Sequence, residues 1–352
     1  MRTTREFIKE LKANGLDGLI VSSLANISYL TKTLNPDAYL LASLKVLTYF
    51  TDSRYSEEAK IKLKDSANLK NINGSVFKSI ARACLNLDLK KVGFEERHLP
   101  YAEYKKIKEY LKAKAYLIPT YGILEGMRMV KGPQELAKIR KALKITALAI
   151  EFIQDFIRPG VRELEIAAEW ERFIRYQGAI GSAFDIIVAS GASSAFPHHA
   201  PTSRKIKDND IILIDAGVDY LGYKSDLTRV FFLGKINGLA RRIYALVLKA
   251  QAMAIKKIKP GEKANVIDAA SRRYITNKGY GNYFTHGLGH GVGLDIHEGP
   301  SISGKSEEIL RGGMVFTVEP AVYLPGKFGI RVEDMVLVTK NGCEVLSGLI
   351  NK

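Results

Sequence analysis

Residues 211–226 read IILIDAGVDYLGYKSD, and the order of residue types in this stretch decides how the chain folds around it. Four apolar residues run directly into Asp215, the chain turns around Tyr220–Gly222, and a second carboxylate, Asp226, follows. A short apolar run of this kind predicts a buried strand. A carboxylate at the end of such a strand is costly unless it neutralises or finds a cation. A hairpin centred between Tyr220 and Leu221 sets Asp215 opposite Asp226, with Cβ atoms roughly 4.5–5.5 Å apart. Two like charges at that separation imply something positive between them.

Moving outward, the pattern recurs. Residues 313–338 read GMVFTVEPAVYLPGKFGIRVEDMVLV, again a strand, a turn and a strand. Centred on Gly326, this hairpin places Glu319 opposite Glu333. The segments before the two hairpins also echo each other: IRPGVRELEIAAE begins at Ile157 and IKPGEKANVIDAA at Ile258. Their Pro-Gly pairs, and Gly178 with Gly279, share an offset of 101 residues (260 − 159). Each copy reads as helix, Pro-Gly turn, helix and strands, the signature of an internal duplication. If a pseudo-two-fold axis relates the copies, the two acid pairs converge and four carboxylates share one interior site. Hard oxygen ligands suit divalent Mn, Co, Mg or Zn, and a shared cluster favours two ions. The glycine-rich stretch FTHGLGHGVGLDIHEGP offers His286, His290 and His297 as candidate nitrogen ligands.

The remainder of the 352 residues sets bounds. The length suits two domains. The N-terminal third alternates buried strands (DGLIVSS, LKVLTYFTD) with amphipathic helices (TREFIKELKANG, PYAEYKKIKEYLKAK), as a small α/β domain does. A long helix then starts at Pro133 and runs to Arg158, and a second spans Arg162–Tyr176. We expect an N-terminal domain over residues 1–123 and a catalytic one over 124–352. No apolar stretch is long enough for a membrane helix, and the N-terminus lacks the apolar core of a secretory signal. Cys84 and Cys343 match no metal or redox spacing and fit a reducing cytoplasm as small core residues. The net charge of +16 is spread over helix faces without a nucleic-acid-binding motif, so neither nucleic acid nor membrane is expected as a partner.

The ordered set IDAG, SDLTR, HGLGHGVGLDIHE, TVEP and RVEDMVLV resembles that of the pita-bread metallopeptidases, over roughly residues 125–350. The N-terminal third, with DSRY at 52–55 and VGFEERHLPYAEYKKIK at 92–108, is similar to the smaller domain of the aminopeptidase P, prolidase and creatinase branch. The resemblance implies an α+β chain: a C-terminal pita-bread domain with pseudo-two-fold duplication and a creatinase-like N-terminal α/β domain. It implies metal ligation by Asp215, Asp226, His290, Glu319 and Glu333, with two divalent ions per chain, manganese as the usual metal and cobalt or zinc as others. Asp215 would bind one ion and His290 with Glu319 the other, while Asp226 and Glu333 would bridge. His198, in AFPHHAP, matches the family's active-site histidine, and His297 its second substrate-side histidine. Arg331, two residues before Glu333 and on the same sheet face, would orient or balance the carboxylates. The expected activity is hydrolysis of the Xaa-Pro bond at the N-terminus of short peptides with proline second. A hydroxide held between the ions would attack the carbonyl, with Glu319 moving the proton. Prolidases of the branch often carry Arg after the HE-x-P segment; here Ser301 stands there, which favours an aminopeptidase over a dipeptidase. The resemblance also implies a homodimer. The rival class is a pita-bread protein that has lost catalysis and binds other macromolecules, but such a protein has no reason to keep four clustered acids.

Overall fold

The computed structural model describes residues 2–64 and 66–348. The chain divides after Arg128 into two units, each with its own core. The first is built on a six-stranded sheet. Its strands are β1 (Gly18–Val21), β2 (Tyr39–Ser43), β3 (Leu47–Thr51), β4 (Asn68–Asn71), β5 (Lys91–Glu95) and β6 (Tyr116–Thr120), in the order β4-β3-β2-β1-β5-β6. Helices α1 (Arg2–Ala13), α2 (Leu24–Thr31), α3 (Ser56–Leu63), α4 (Val76–Asn86), α5 (Tyr101–Leu111) and α6 (Ile123–Arg128) complete it. Strand β1 reads as a continuous apolar run because it is buried between an antiparallel neighbour, β2, and a parallel one, β5. A buried acid of this unit is satisfied: Glu95 accepts from the backbone of Ser22 and Ser23 at 2.7 Å each and from Asn26 Nδ2 at 2.6 Å.

The second unit shows its duplication in the order of its elements. Helices α7 (Pro133–Phe156) and α8 (Glu163–Tyr176) precede strands β7 (Gly181–Ser182), β8 (Ile187–Ser190), β9 (Ile211–Ala216), β10 (Val218–Tyr220), β11 (Tyr223–Lys224) and β12 (Leu227–Phe232). Helices α9 (Gly238–Ile255) and α10 (Ala264–Asn277) precede β13 (Gly289–Gly291), β14 (Glu298–Ile302), β15 (Val315–Val318), β16 (Ala321–Leu324), β17 (Phe328–Arg331), β18 (Asp334–Val338) and β19 (Cys343–Val345). Helices α8 and α10 are both 14 residues long and begin 101 positions apart (264 − 163). Two apolar cores flank the strands, the second also taking in Ile187, Leu213 and Val230 of the first half. Ile150, Ile166 and Trp170 pack on Ile212 and Ile214 in the first; Val247, Ala250 and Ile267 pack with Phe316 and Val336 in the second.

The two hairpins differ in how they meet the sequence expectation. In the second, Val318 faces Asp334 and Ala321 faces Arg331, so the ladder carries Glu319 across from Glu333 as the spacing predicts. In the first, Asp215 faces Thr228 rather than Asp226. The turn is responsible. Tyr220 pairs with Tyr223, leaving Leu221 and Gly222 as a two-residue loop with φ of 51° and 84°. This is the positive-φ geometry that suits the twist of a hairpin, and Gly222 supplies one of its two positions at no steric cost. Sliding the register by two residues keeps side-chain parity, so Asp215 and Asp226 remain on one face as diagonal neighbours.

Candidate active site

The two halves of the second unit meet where both acid pairs end. Thr228 of β12 donates through Oγ1 to Glu333 Oε2 at 2.6 Å, and the Glu333 amide donates to the Thr228 carbonyl. Asp226 and Glu333 are almost fully buried, and the side chains of Asp215 and Glu319 are only 14% and 15% exposed. Four carboxylates thus line one cavity of about 880 Å³, together with His198, His286, His290 and His297.

Glycines explain how His290 reaches this cluster. A Cβ on Gly289 would lie 2.0 Å from the Thr317 carbonyl oxygen, and one on Gly291 would lie 2.0 Å from that of Gly299. The strand can therefore press between β14 and β15 only with bare backbone on either side of the histidine. His290 Nδ1 sits 3.2 Å from the Gly291 carbonyl, which can only accept, so this nitrogen carries the proton. The unprotonated Nε2 then points at Asp226 Oδ2 (3.6 Å) and Glu319 Oε1 (3.4 Å).

The electrostatics call for positive charge among these acids, as protons or as a cation. Burial first, and then the charges of Glu333, Asp215 and Glu319, push the Asp226 carboxyl well above its ordinary range. Burial with Glu319 and Asp215 does the same to Glu333. Burial pushes Glu319 up to about 8, against the pull of Arg331. His290 is driven down to about 4, chiefly by burial, and so offers a free lone pair. Asp226, His290 and Glu333 each present a ligand atom within 4.8 Å of the others, and Glu319 adjoins this group through His290. Asp215 Oδ1 is buried without a hydrogen-bond partner. Neutral imidazole, acid oxygens and an orphaned buried acceptor form the donor set of a hard or borderline divalent cation.

Arg331 buttresses both acid pairs. Its Nη2 donates to Asp215 Oδ2 at 2.6 Å, its Nε to Thr228 Oγ1 at 3.1 Å, and its Nη1 to the Pro197 carbonyl at 3.3 Å and to the Tyr323 hydroxyl. Because Thr228 in turn donates its hydroxyl hydrogen bond to Glu333, one guanidinium supports an acid from each half. Tyr323 in turn lies 3.2 Å from His286 Nε2. His286 Nδ1 faces the Gly287 carbonyl at 2.7 Å, and burial pulls its pKa down to about 4. It is therefore a neutral acceptor for Tyr323, a structural role, and of the three candidate histidines it is not placed as a ligand.

His198 lines the cavity with an exposed side chain, and His297 lines it with its ring centroid 4.2 Å from that of His290. Burial lowers the His297 pKa. Glu298, the residue after it, is buried in an ion pair with Lys131 at 2.8 Å. All eight site residues expected from sequence border the one cavity. Missed were Thr228, Tyr323 and Glu163, which hold other groups in place and carry no spacing signal of their own. Two further side chains are structural: Trp170 is fully buried and donates to Ser182 at 3.0 Å, and Tyr223 donates to Glu135 at 2.8 Å. No described helix is long and apolar enough to cross a membrane.

Comparison with known proteins agrees with this geometry. Residues 137–340 match the model of metallopeptidase family M24, and residues 4–130 match the creatinase/prolidase N-terminal domain. The chain is 35% identical over 346 residues to an Xaa-Pro dipeptidase of Pyrococcus horikoshii, covering 97% of this chain and 96% of that one. Among solved structures, an Xaa-Pro dipeptidase from Bacillus anthracis superposes with a TM-score of 0.93 at 38% identity, covering 98% of both chains. An X-Pro aminopeptidase from Thermotoga maritima superposes with a TM-score of 0.89 at 34% identity, covering 96% of this chain and 97% of that one.

Proposed function

The chain belongs to metallopeptidase family M24, and from that premise we propose that it is an Xaa-Pro dipeptidase, cleaving dipeptides whose second residue is proline. The observation that carries this reading is likeness along nearly the whole chain, both units included, to proteins named for that activity. It displaces the aminopeptidase expectation drawn from Ser301 alone. Ser301 does line the cavity, and Arg331, the one arginine or lysine among its described lining residues, is committed to Asp215. The dipeptide's carboxylate would then be met by the Ser301 hydroxyl rather than by a guanidinium. That same feature keeps the aminopeptidase as second reading, since a longer peptide needs no carboxylate grip there.

Asp215, Asp226, His290, Glu319 and Glu333 would hold two divalent cations, manganese being the metal we expect. Bound there, such cations polarise a carbonyl and lower the pKa of water they hold. The chain's own residues do the rest. Glu319, which lines the cavity beside His290, takes a proton from water and returns it to the leaving proline nitrogen. His198 donates to the carbonyl oxygen as negative charge develops on it. His297 aligns the substrate, and Arg331 keeps Asp215 and Glu333 in their positions.

The test is hydrolysis of Ala-Pro and Ala-Pro-Ala by metal-stripped protein resupplied with Mn. Cleavage of the dipeptide with the tripeptide left intact supports the proposal. Release of Ala from the tripeptide establishes the aminopeptidase instead. Metal uptake with neither peptide cut overturns the proline specificity and leaves the metallopeptidase site standing.

A further inference from the structure

We infer that Glu163 is a positioning residue that sets His198 in the cavity by clamping the loop on which it rides; the inference rests on the role proposed above for His198. Glu163 is completely buried at the first position of α8, yet both its oxygens are turned away from the helix. Oε1 accepts from the Ser190 amide at 2.9 Å and the Ser190 hydroxyl at 2.5 Å. Oε2 accepts from His199 Nε2 at 3.0 Å, the Thr202 amide at 3.0 Å and the Thr202 hydroxyl at 2.7 Å. Ser190 and Thr202 close the two ends of the segment that carries His198, and His199 adjoins that histidine. Two anchors therefore flank that histidine directly: Pro197 before it is held by Arg331, and His199 after it by Glu163.

Two observations separate this clamp from ordinary helix capping. The open amide at the start of α8 is already served by Glu165, which accepts from the Arg162 amide at 2.7 Å. Further, the residue at the equivalent position of the duplicated half, 101 positions on, is Ala264, fully buried at the first position of α10. The fold thus forms this helix start without a carboxylate. The acid stands only on the half that presents His198, where its five acceptances replace helix needs with loop geometry.

The experiment is a double-mutant cycle on the full chain. Glu163→Gln, His198→Ala and the double variant are loaded with Mn and assayed on Ala-Pro, with bound metal measured for each. Glu163→Gln is expected to lower kcat at least tenfold with KM and metal content little changed, and to cost less than twofold once His198 is already alanine. An equal loss in both backgrounds overturns the inference in favour of a general structural role, as does no loss at all. Thr202→Val, which removes one donor and leaves the acid, is the milder variant should Glu163→Gln not fold, and is expected to show the same dependence on His198. A second readout needs no turnover. The chain has six histidines, so the His198 ring resonance can be assigned by its loss in His198→Ala on Zn-loaded protein. Glu163→Gln should move or broaden it and leave His297 in place; an unmoved His198 resonance refutes the clamp. If no Xaa-Pro substrate is cut, the proposed activity falls while the resonances still decide the clamp.

Discussion

Arg331 shows how much of this site depends on one side chain. A lysine would keep its charge but not its planar fork, which here reaches Asp215, Thr228 and Pro197 from three nitrogens. Arg331→Lys is therefore expected to fold and to lose roughly 10–100-fold in activity or metal affinity, the usual cost of a displaced supporting partner. Steady-state kinetics with metal titration would check it. Arg331→Met leaves Asp215 buried beside its fellow acids with no cation, and should destabilise metal-free protein by about 3–5 kcal/mol in urea denaturation. Glu163 makes a prediction about pH. Its donors outweigh its burial and hold its pKa below the ordinary glutamate value, so its ionised form favours the folded state. That contribution is complete above the unfolded pKa of about 4.3 and is lost as pH falls through the lower folded value. The stability gap between wild type and Glu163→Gln should be constant near neutrality and shrink in acid below about pH 4.3, as read from urea midpoints at successive pH values.

At the scale of the element, the first hairpin turn is open to improvement. Leu221 occupies a left-handed position, φ 51°, with half its surface exposed, so it accepts backbone strain and contributes little burial in return. Leu221→Asn should raise stability by roughly 0.5–1 kcal/mol, because asparagine enters this region at lower cost; a thermal melt would show it, and a loss would mean the side chain packs more than its exposure implies. The same turn limits what could be read from sequence. Symmetry about Gly326 gave the second hairpin its register, since a Pro-Gly turn announces its centre. In the first, the centre was misplaced by one residue, because DYLGYK holds a single glycine and no proline to fix the loop. The acids still share a face, since the resulting slip of two residues leaves side-chain parity intact. Residues with chemistry of their own at repeated spacings were legible. Glu163 was not: it sits in an amphipathic helix, and its partners lie 27 to 39 positions away with no pattern linking them.

The whole second unit can be seen as two half-domains that each bring a pair of acids to a common seam, which makes its stability a function of what fills that seam. In metal-free protein the acids resist ionisation: Asp226 and Glu333 are raised well above their ordinary values, mainly by burial, and Glu319 to about 8. A raised folded pKa means that the folded state binds protons more tightly than the unfolded one. Stability from this source is therefore full below the unfolded carboxylate pKa of about 4 and is lost as pH rises through the folded values. A divalent cation competes with the same protons, so its apparent affinity should rise over the interval in which they leave. The gain in melting temperature on adding Mn to stripped protein is accordingly expected to be small at about pH 5 and large at about pH 8. For each cation bound at a hundredfold excess over Kd it corresponds to about 2.7 kcal/mol, or on the order of 5–10 °C for a unit of this size. Hydrogen exchange on the intact chain should place the added protection on β9, β12 and β15 to β18, which carry or flank the acids. A gain that does not change with pH would mean that the cation binds somewhere other than among these four carboxylates.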